Sequence, residues 1–184
     1  NLKVDNMATA VITWGRMNPP TAGHEKLVNK VRKASRIHKG KPFVYLTKTF
    51  KKPKDPLPYR DKLKLAKKAF GNIVQDHKSR TIFELMKELE KKFDGIVLVV
   101  GSDRVAEFEK LLNKYNGKDY NFSSITIVSA GERDPDAEGV SGISASKMRQ
   151  FAKDDDFESF ENGLPSLIKK PDAKRTFDLV RKNI

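Results

Sequence analysis

Apolar and polar positions follow two periods along this chain. From Ala8 to Trp14 nearly every residue is apolar or β-branched, the pattern of a strand buried on both faces of a parallel sheet. Between Glu25 and Ile37 the residues Leu27, Val28, Val31, Ala34 and Ile37 recur at steps of three and four, which predicts a helix with one buried face. Gly40 closes that helix and Pro42 keeps it from continuing. Phe43 to Leu46 predicts a second strand, and Tyr59 to Phe70 repeats the helical period through Leu63, Leu65, Ala66, Ala69 and Phe70. A short Ile73-Val74 strand follows. Thr81, with Glu84 three residues on, reads as a capping box opening a helix whose Ile82, Leu85, Met86 and Leu89 face inward. Gly95 to Gly101 is the plainest buried strand; Ser102-Asp103 ends it and opens a helix running to Tyr115. Ile125 to Val128 predicts the last strand, and a loop from Gly131 to Gly142 leads to a helix starting near Ser144. Beyond Phe151 the pattern weakens into Asp154-Asp155-Asp156 and two short helices, up to Phe160 and from about Asp172 to Val180.

This alternation predicts an α/β fold: a Rossmann-like, parallel five-stranded sheet with helices on both faces. Residues 1–152 form that domain, opened by a short lead over residues 1 to 7, and residues 153–184 form a helical extension packed on it. In such sheets ligands bind outside the carboxyl ends of the strands. Four segments deserve a chemical reading on that ground: the turn after Trp14, the loop after Leu46, Gly101-Ser102-Asp103, and the acidic loop before Ser144.

The first of these, Gly15-Arg16-Met17-Asn18-Pro19-Pro20-Thr21-Ala22-Gly23-His24, carries the chain from a strand into a helix. Unpaired backbone N–H groups and the positive end of the helix dipole converge there, which suits a phosphate. His24 can donate from a ring nitrogen, Thr21 and Asn18 can add neutral donors, and Gly23 permits close approach to the backbone. A polar turn that merely caps a helix has the same residue types. At the other end of the chain, Ile143-Ser144-Ala145-Ser146-Lys147-Met148-Arg149 enters a helix in the same way. Ser144 and Ser146 can offer hydroxyl and N–H donors, and Arg149 a planar fork one turn in; an ordinary Ser cap before a basic helix is the plainer alternative.

Charge adds a regional feature. The 184 residues carry a formal net charge of +13, but residues 26–80 hold 18 Lys and Arg against three acidic residues, a local +15. That segment suits either the gathering of anionic nucleotides or a nucleic-acid face, and exposed helical lysines are also commonly just solvated. There are no cysteines, which removes disulfides and thiolate metal sites. No apolar run approaches the roughly 20 residues of a membrane helix and no signal-peptide pattern opens the chain, so a soluble, cytoplasmic protein without membrane partners is expected.

Together the two turns resemble the paired signatures of the nucleotidylyltransferase superfamily. Thr21-Ala22-Gly23-His24 matches its HxGH/TxGH motif, and Ile143, Ser144, Ser146 and Arg149 match its ISSTxxR motif, with Ala145 in place of the inner Ser. They stand in the expected order about 120 residues apart. Gly101-Ser102-Asp103 resembles a Gly-x-Asp turn that these enzymes place near the nucleotide. Within the superfamily, the resemblance is closest to small nucleotidyltransferase-like proteins encoded by tailed phages, for which the compartment is the host cytoplasm. A superficial likeness to the KMSKS loop of class I aminoacyl-tRNA synthetases finds no room here for an anticodon-binding domain.

The resemblance implies attack of a phosphate or phosphonate oxygen on the α-phosphorus of ATP or CTP, with release of pyrophosphate. It implies catalytic roles for His24, Thr21 and Arg149, and nucleotide contacts from Gly15, Arg16, Asn18, Gly23, Gly101, Asp103, Ser144 and Ser146. Lys48, Lys51 and Lys52 are candidates for the phosphate of a phosphorylated small-molecule acceptor, and Arg16 is a candidate assistant there. Mg²⁺ is expected to arrive with the triphosphate, and no protein-held metal is expected. Asp103 has an alternative as the N-cap of its helix. The acidic Glu132 to Glu138 stretch reads as a solvated loop or, less readily, a metal attractor. His38 and His77 read as surface residues. A second function class, a non-catalytic nucleotide- or nucleic-acid-binding protein on the same fold, is motivated by the basic 26–80 region.

Overall fold

The computed structural model describes residues 8–131 and 143–184. The expected lead and the acidic 132–138 stretch fall outside those residues. Five strands form one sheet: β1 (Ala8–Gly15), β2 (Lys41–Leu46), β3 (Val74–Gln75), β4 (Phe93–Val100) and β5 (Ser124–Ser129). Their spatial order is β3-β2-β1-β4-β5. The helices are α1 (Ala22–Ile37), α2 (Tyr59–Phe70), α3 (Ile82–Leu89), α4 (Val105–Tyr115), α5 (Ala145–Lys153), α6 (Phe157–Gly163) and α7 (Lys170–Lys182). This is the expected parallel α/β sheet with helices on both sides. Among the described residues no helix is long and apolar enough to cross a membrane.

The described residues divide into two compact units. One comprises 8–14, 27–45 and 77–131. Its core follows from the continuous apolar runs: Ala10 and Ile12 of β1 lie in parallel register with Ile96 and Leu98 of β4, and all four are fully buried. Ile82, Leu85, Met86 and Leu89 of α3, Leu112 of α4, and Tyr120 and Phe122 complete it. Thr13, the one polar residue in the middle of β1, donates its hydroxyl hydrogen to the Val99 carbonyl at 2.8 Å, which removes the penalty of burying it.

The other unit comprises 15–26, 46–76 and 143–184. Its core is built by Leu57, Leu65 of α2, Met148 and Ala152 of α5, Phe160 of α6, and Ala173, Phe177 and Val180 of α7. The Phe177 ring meets those of Phe157 and Phe160 edge-on, each at 5.2 Å between centroids. The weak pattern beyond Phe151 thus supplies most of this core.

Several local expectations are corrected. Ile37 is not on the buried face of α1: it is 66% exposed, because burial follows Val28, Val31, Ala34 and Ser35 and the apolar stripe ends before the helix does. The left-handed residue after α1 is Lys39, at φ 52°, not Gly40. Gly40 meets a packing demand instead, since a Cβ there would lie 2.6 Å from the Thr9 carbonyl oxygen and 2.8 Å from Val11 Cγ2. Ile73 belongs to a 3₁₀ turn, and β3 is Val74–Gln75. Thr81 caps α3 by accepting from the Glu84 N–H at 3.2 Å, while Glu84 accepts from the Arg80 N–H at 2.7 Å rather than from that of Thr81. His77 is no simple surface residue: its ring packs against Trp14 at 5.4 Å and Tyr45 at 5.6 Å, and its Nδ1 accepts from the Ser79 N–H.

Candidate active site

β1 ends at Gly15, and the next six residues turn the chain into α1. Met17 sits in this turn at φ 40°, a left-handed conformation that an unbranched, buried side chain adopts only when its surroundings impose it. Those surroundings are specific. The carbonyl before Met17, that of Arg16, accepts from Lys62 Nζ at 2.7 Å. The carbonyl after it, that of Asn18, accepts from Arg149 at 2.9 Å. The Asn18 side chain, 1% exposed, behaves as a peptide: its amide donates to the Leu57 carbonyl at 3.3 Å and its oxygen accepts from the Leu57 N–H at 2.9 Å. Asn18 was expected among the phosphate donors; here its carboxamide holds the turn against Leu57. The Asn18–Pro19 bond is cis.

At the start of α1, Thr21 is fully buried and organises His24. The Thr21 N–H donates to His24 Nδ1 at 2.9 Å, and the His24 N–H donates to the Thr21 carbonyl at 3.0 Å. An Nδ1 that accepts carries its lone pair, so the neutral ring bears its proton on Nε2. His24 is thereby fixed as an Nε2–H donor in the first turn of a helix, with Gly23 beside it. The Thr21 hydroxyl lies 3.3 Å from the same Nδ1 and donates to the Ile143 carbonyl at 2.9 Å, across 122 positions of sequence.

That last bond, with the Arg149 to Asn18 bond, ties the two expected signatures together. Ser144 caps α5 by accepting from the Lys147 N–H at 3.1 Å, so its hydroxyl serves the helix start, and Ser146 is exposed one residue inside it. Burial is the largest cause lowering the Arg149 pKa; the nearby Arg16 lowers it further and Asp55 opposes. Arg149 stays a cation at neutral pH, partly desolvated beside the turn.

The loop after β2 is braced from the same turn. Arg16 grips Asp55 with two bonds, Nε to Oδ1 at 3.0 Å and Nη2 to Oδ2 at 3.1 Å, and donates to the Lys54 carbonyl. Lys51 and Asp55 pair through their backbones at 3.0 and 2.8 Å. Lys51 and Lys52 are exposed there, while Lys48 is half-buried with its ammonium 4.2 Å from the centre of the Tyr59 ring. Gly15 accepts from the Thr47 N–H at 2.9 Å.

Gly101 and Asp103 belong to the other unit. Asp103 lies inside a 3₁₀ turn, Ser102–Arg104, and the residue at the N-cap of α4 is Arg104, so Asp103 is not the cap of that helix. A Cβ on Gly101 would lie 2.8 Å from the Asp103 carboxylate, the movable end of an exposed side chain, so crowding alone does not require the glycine.

Two residues of this constellation escape a reading by residue type, Asp55 and Lys62. Lys62 is fully buried on α2 and bonds the Thr47 carbonyl at 2.8 Å besides that of Arg16. Burial pushes its pKa down to about 8, with Asp55 opposing and Arg16 assisting. A signal was present: Lys62 stands three, four and seven positions before Leu65, Ala66 and Ala69, on the buried stripe of α2.

In fold, the chain is similar to Thermotoga maritima TmcAL. The apo form I of that protein aligns with a TM-score of 0.55 at 11% identity, over 96% of this chain and 56% of that one. Its form II, bound with alpha-thio ATP, aligns at 0.48 with 11% identity, over 96% and 55%. This chain therefore spans little more than half the length of that protein. None of the curated protein sequences matches the chain. The parallel five-stranded sheet with helices on both sides defines a Rossmann-like α/β protein. Within that class, the cytidylyltransferase-like family model matches residues 12–151, and the chain belongs to that family.

Proposed function

We propose that the protein transfers a nucleoside monophosphate from ATP or CTP to a phosphate-bearing acceptor. An acceptor oxygen attacks the α-phosphorus, the new P–O bond forms as the bond to the β-phosphate bridging oxygen breaks, and pyrophosphate leaves with that electron pair. The observation that carries this reading is the joining of Thr21 to Ile143 and of Arg149 to Asn18, which brings two distant phosphate-suited turns into one constellation. Such a reaction asks the protein for alignment and charge stabilisation rather than covalent chemistry.

His24 donates its Nε2–H to the α-phosphate as negative charge builds there. Thr21 holds the ring in that tautomer through its backbone N–H. Arg149 and the N-terminal turn of α5, with Ser144 and Ser146, meet the β- and γ-phosphates. Lys48, Lys51 and Lys52 supply positive charge for the acceptor's phosphate. Among the described residues no group of three His, Asp or Glu side chains could hold a metal ion, and Asp55 is taken by Arg16. We take Mg²⁺ to arrive with the substrate, as the magnesium–triphosphate complex, whose ion neutralises phosphate charge.

Pyrophosphate release from ATP and from CTP, measured over a panel of phosphorylated acceptors, tests the proposal. His24→Ala should lower kcat/KM by about 10²–10³, the effect of removing one donor to a developing oxyanion. Arg149→Lys should lose much of the activity too, because the charge remains and the fork does not. Folding of both variants is checked by circular dichroism. Unchanged turnover in a folded His24→Ala protein would overturn the assignment.

A further inference from the structure

Lys62 takes no part in the chemistry just described, yet it is among the largest fully buried side chains of the described residues. A lysine in that position must satisfy three donors. It does so on two separate loops: the Arg16 carbonyl at 2.7 Å, the Thr47 carbonyl at 2.8 Å, and the Thr47 hydroxyl at 3.4 Å. Arg16 opens the turn that carries Thr21 and His24, and Thr47 opens the loop that carries Lys48, Lys51 and Lys52.

We propose that Lys62 is a positioning residue: its buried ammonium fastens the Arg16–Met17 peptide to the Thr47–Lys48 peptide, and so sets the triphosphate-facing turn against the acceptor-facing loop. A carbonyl pair cannot hold itself together, since both ends are acceptors; a cation between them supplies the attraction and removes two buried orphans at once. The clamp also flanks Met17, whose left-handed backbone needs an external restraint.

Its strength depends on protonation. The charged groups facing Lys62 are Asp55, which favours the ammonium, and Arg16, which disfavours it, and burial outweighs both. The clamp is complete below about pH 8 and weakens above it, when the amine retains two hydrogens for three acceptors. The effect on turnover rests on the transferase reading. It should fall on kcat, because a loop misplaced by about an ångström costs on the order of 10²-fold in rate while leaving each substrate's own contacts in place.

The test reads the clamp without substrate. The amide nitrogens of Met17 and Lys48 share peptide units with the two bonded carbonyls, so their ¹⁵N shifts follow the titration of Lys62. Wild type should show a common inflection near pH 8 at both amides, absent from Lys62→Met. In turnover assays Lys62→Met should lose roughly ten- to a hundred-fold in kcat with the triphosphate KM changed less than about threefold, and Lys62→Arg should restore part of the loss and remove the fall above pH 8. If Met17 and Lys48 titrate independently or not at all in wild type, the clamp is wrong, whether or not either variant folds. A folded Lys62→Met with wild-type kcat removes its role in turnover. If wild type releases no pyrophosphate with any acceptor, the transferase reading falls and the amide titration still decides the clamp.

Discussion

In the unfolded chain Lys62 titrates near 10.5, and in the folded protein burial brings it to about 8. Between those values the unfolded chain binds more protons than the folded one, so the stability assignable to this residue rises with pH across the window. Below about pH 8 the penalty of the buried charge is carried in full. Tyr45 and Tyr120 work in the opposite sense: burial raises both to about 12, so their contribution is present below pH 10 and is lost as pH climbs through 12. Comparing wild type with Lys62→Met cancels the tyrosines. Urea unfolding at pH 7.5 and 9.5 should shift the difference toward wild type by on the order of 1–2 kcal/mol. A difference independent of pH would contradict the buried ammonium. Residue by residue, the positions of Thr21, His24, Ser144 and Arg149 at the starts of two helices were legible because their types and spacing are specific, and their roles belong to the proposed function. Lys62 and Asn18 were not, since residue type assigns lysine to solvent and asparagine to a donor role, whereas here the stripe of α2 and the backbone of Leu57 decide.

Elements were legible wherever burial is two-sided or strictly periodic. β1 and β4 follow from apolar runs, and α2 occupies the expected Tyr59 to Phe70. Ends were harder, because the final turn of α1 and the start of α4 depend on packing and on a 3₁₀ turn that no period announces. The short helices near the C-terminus matter more than their weak pattern suggests. α5 carries Arg149, and its Met148 is fully buried in the core made with α6 and α7. Gly163, the last residue of α6, sits against this helix: a Cβ there would overlap Met148 Sδ and lie 3.1 Å from Ile143 Cδ1. Gly163→Ala should therefore destabilise the protein by about 1–3 kcal/mol, the usual penalty of overpacking. It should also disturb the Thr21 to Ile143 bond, seen as a changed chemical shift at the Thr21 amide. Unchanged stability would mean that α5 and α6 separate more easily than their packing implies.

At the scale of the molecule, the family match over residues 12–151 contains both turns, and the net charge of +13 is concentrated in residues 26–80. A basic field of this kind raises the local concentration of any anion, so it serves a triphosphate and a nucleic acid alike and by itself selects neither. In the proposed function the selective features are the His24 tautomer and the Arg149 anchor, each held by a backbone contact. Nothing in the charge pattern distinguishes adenine from cytosine, because base recognition depends on individual pocket contacts rather than on a field. The most direct test of one constellation formed by two turns is calorimetric titration of ATP and of CTP, each with Mg²⁺, into wild type, His24→Ala and Arg149→Ala at two salt concentrations. At least one triphosphate should bind wild type, and each substitution should weaken that binding by about tenfold or more, roughly 1.4 kcal/mol, at both salts. If neither triphosphate binds while single-stranded nucleic acid does, with affinity falling steeply with salt and indifferent to His24, the two turns are not a nucleotide site and the basic segment is the working surface.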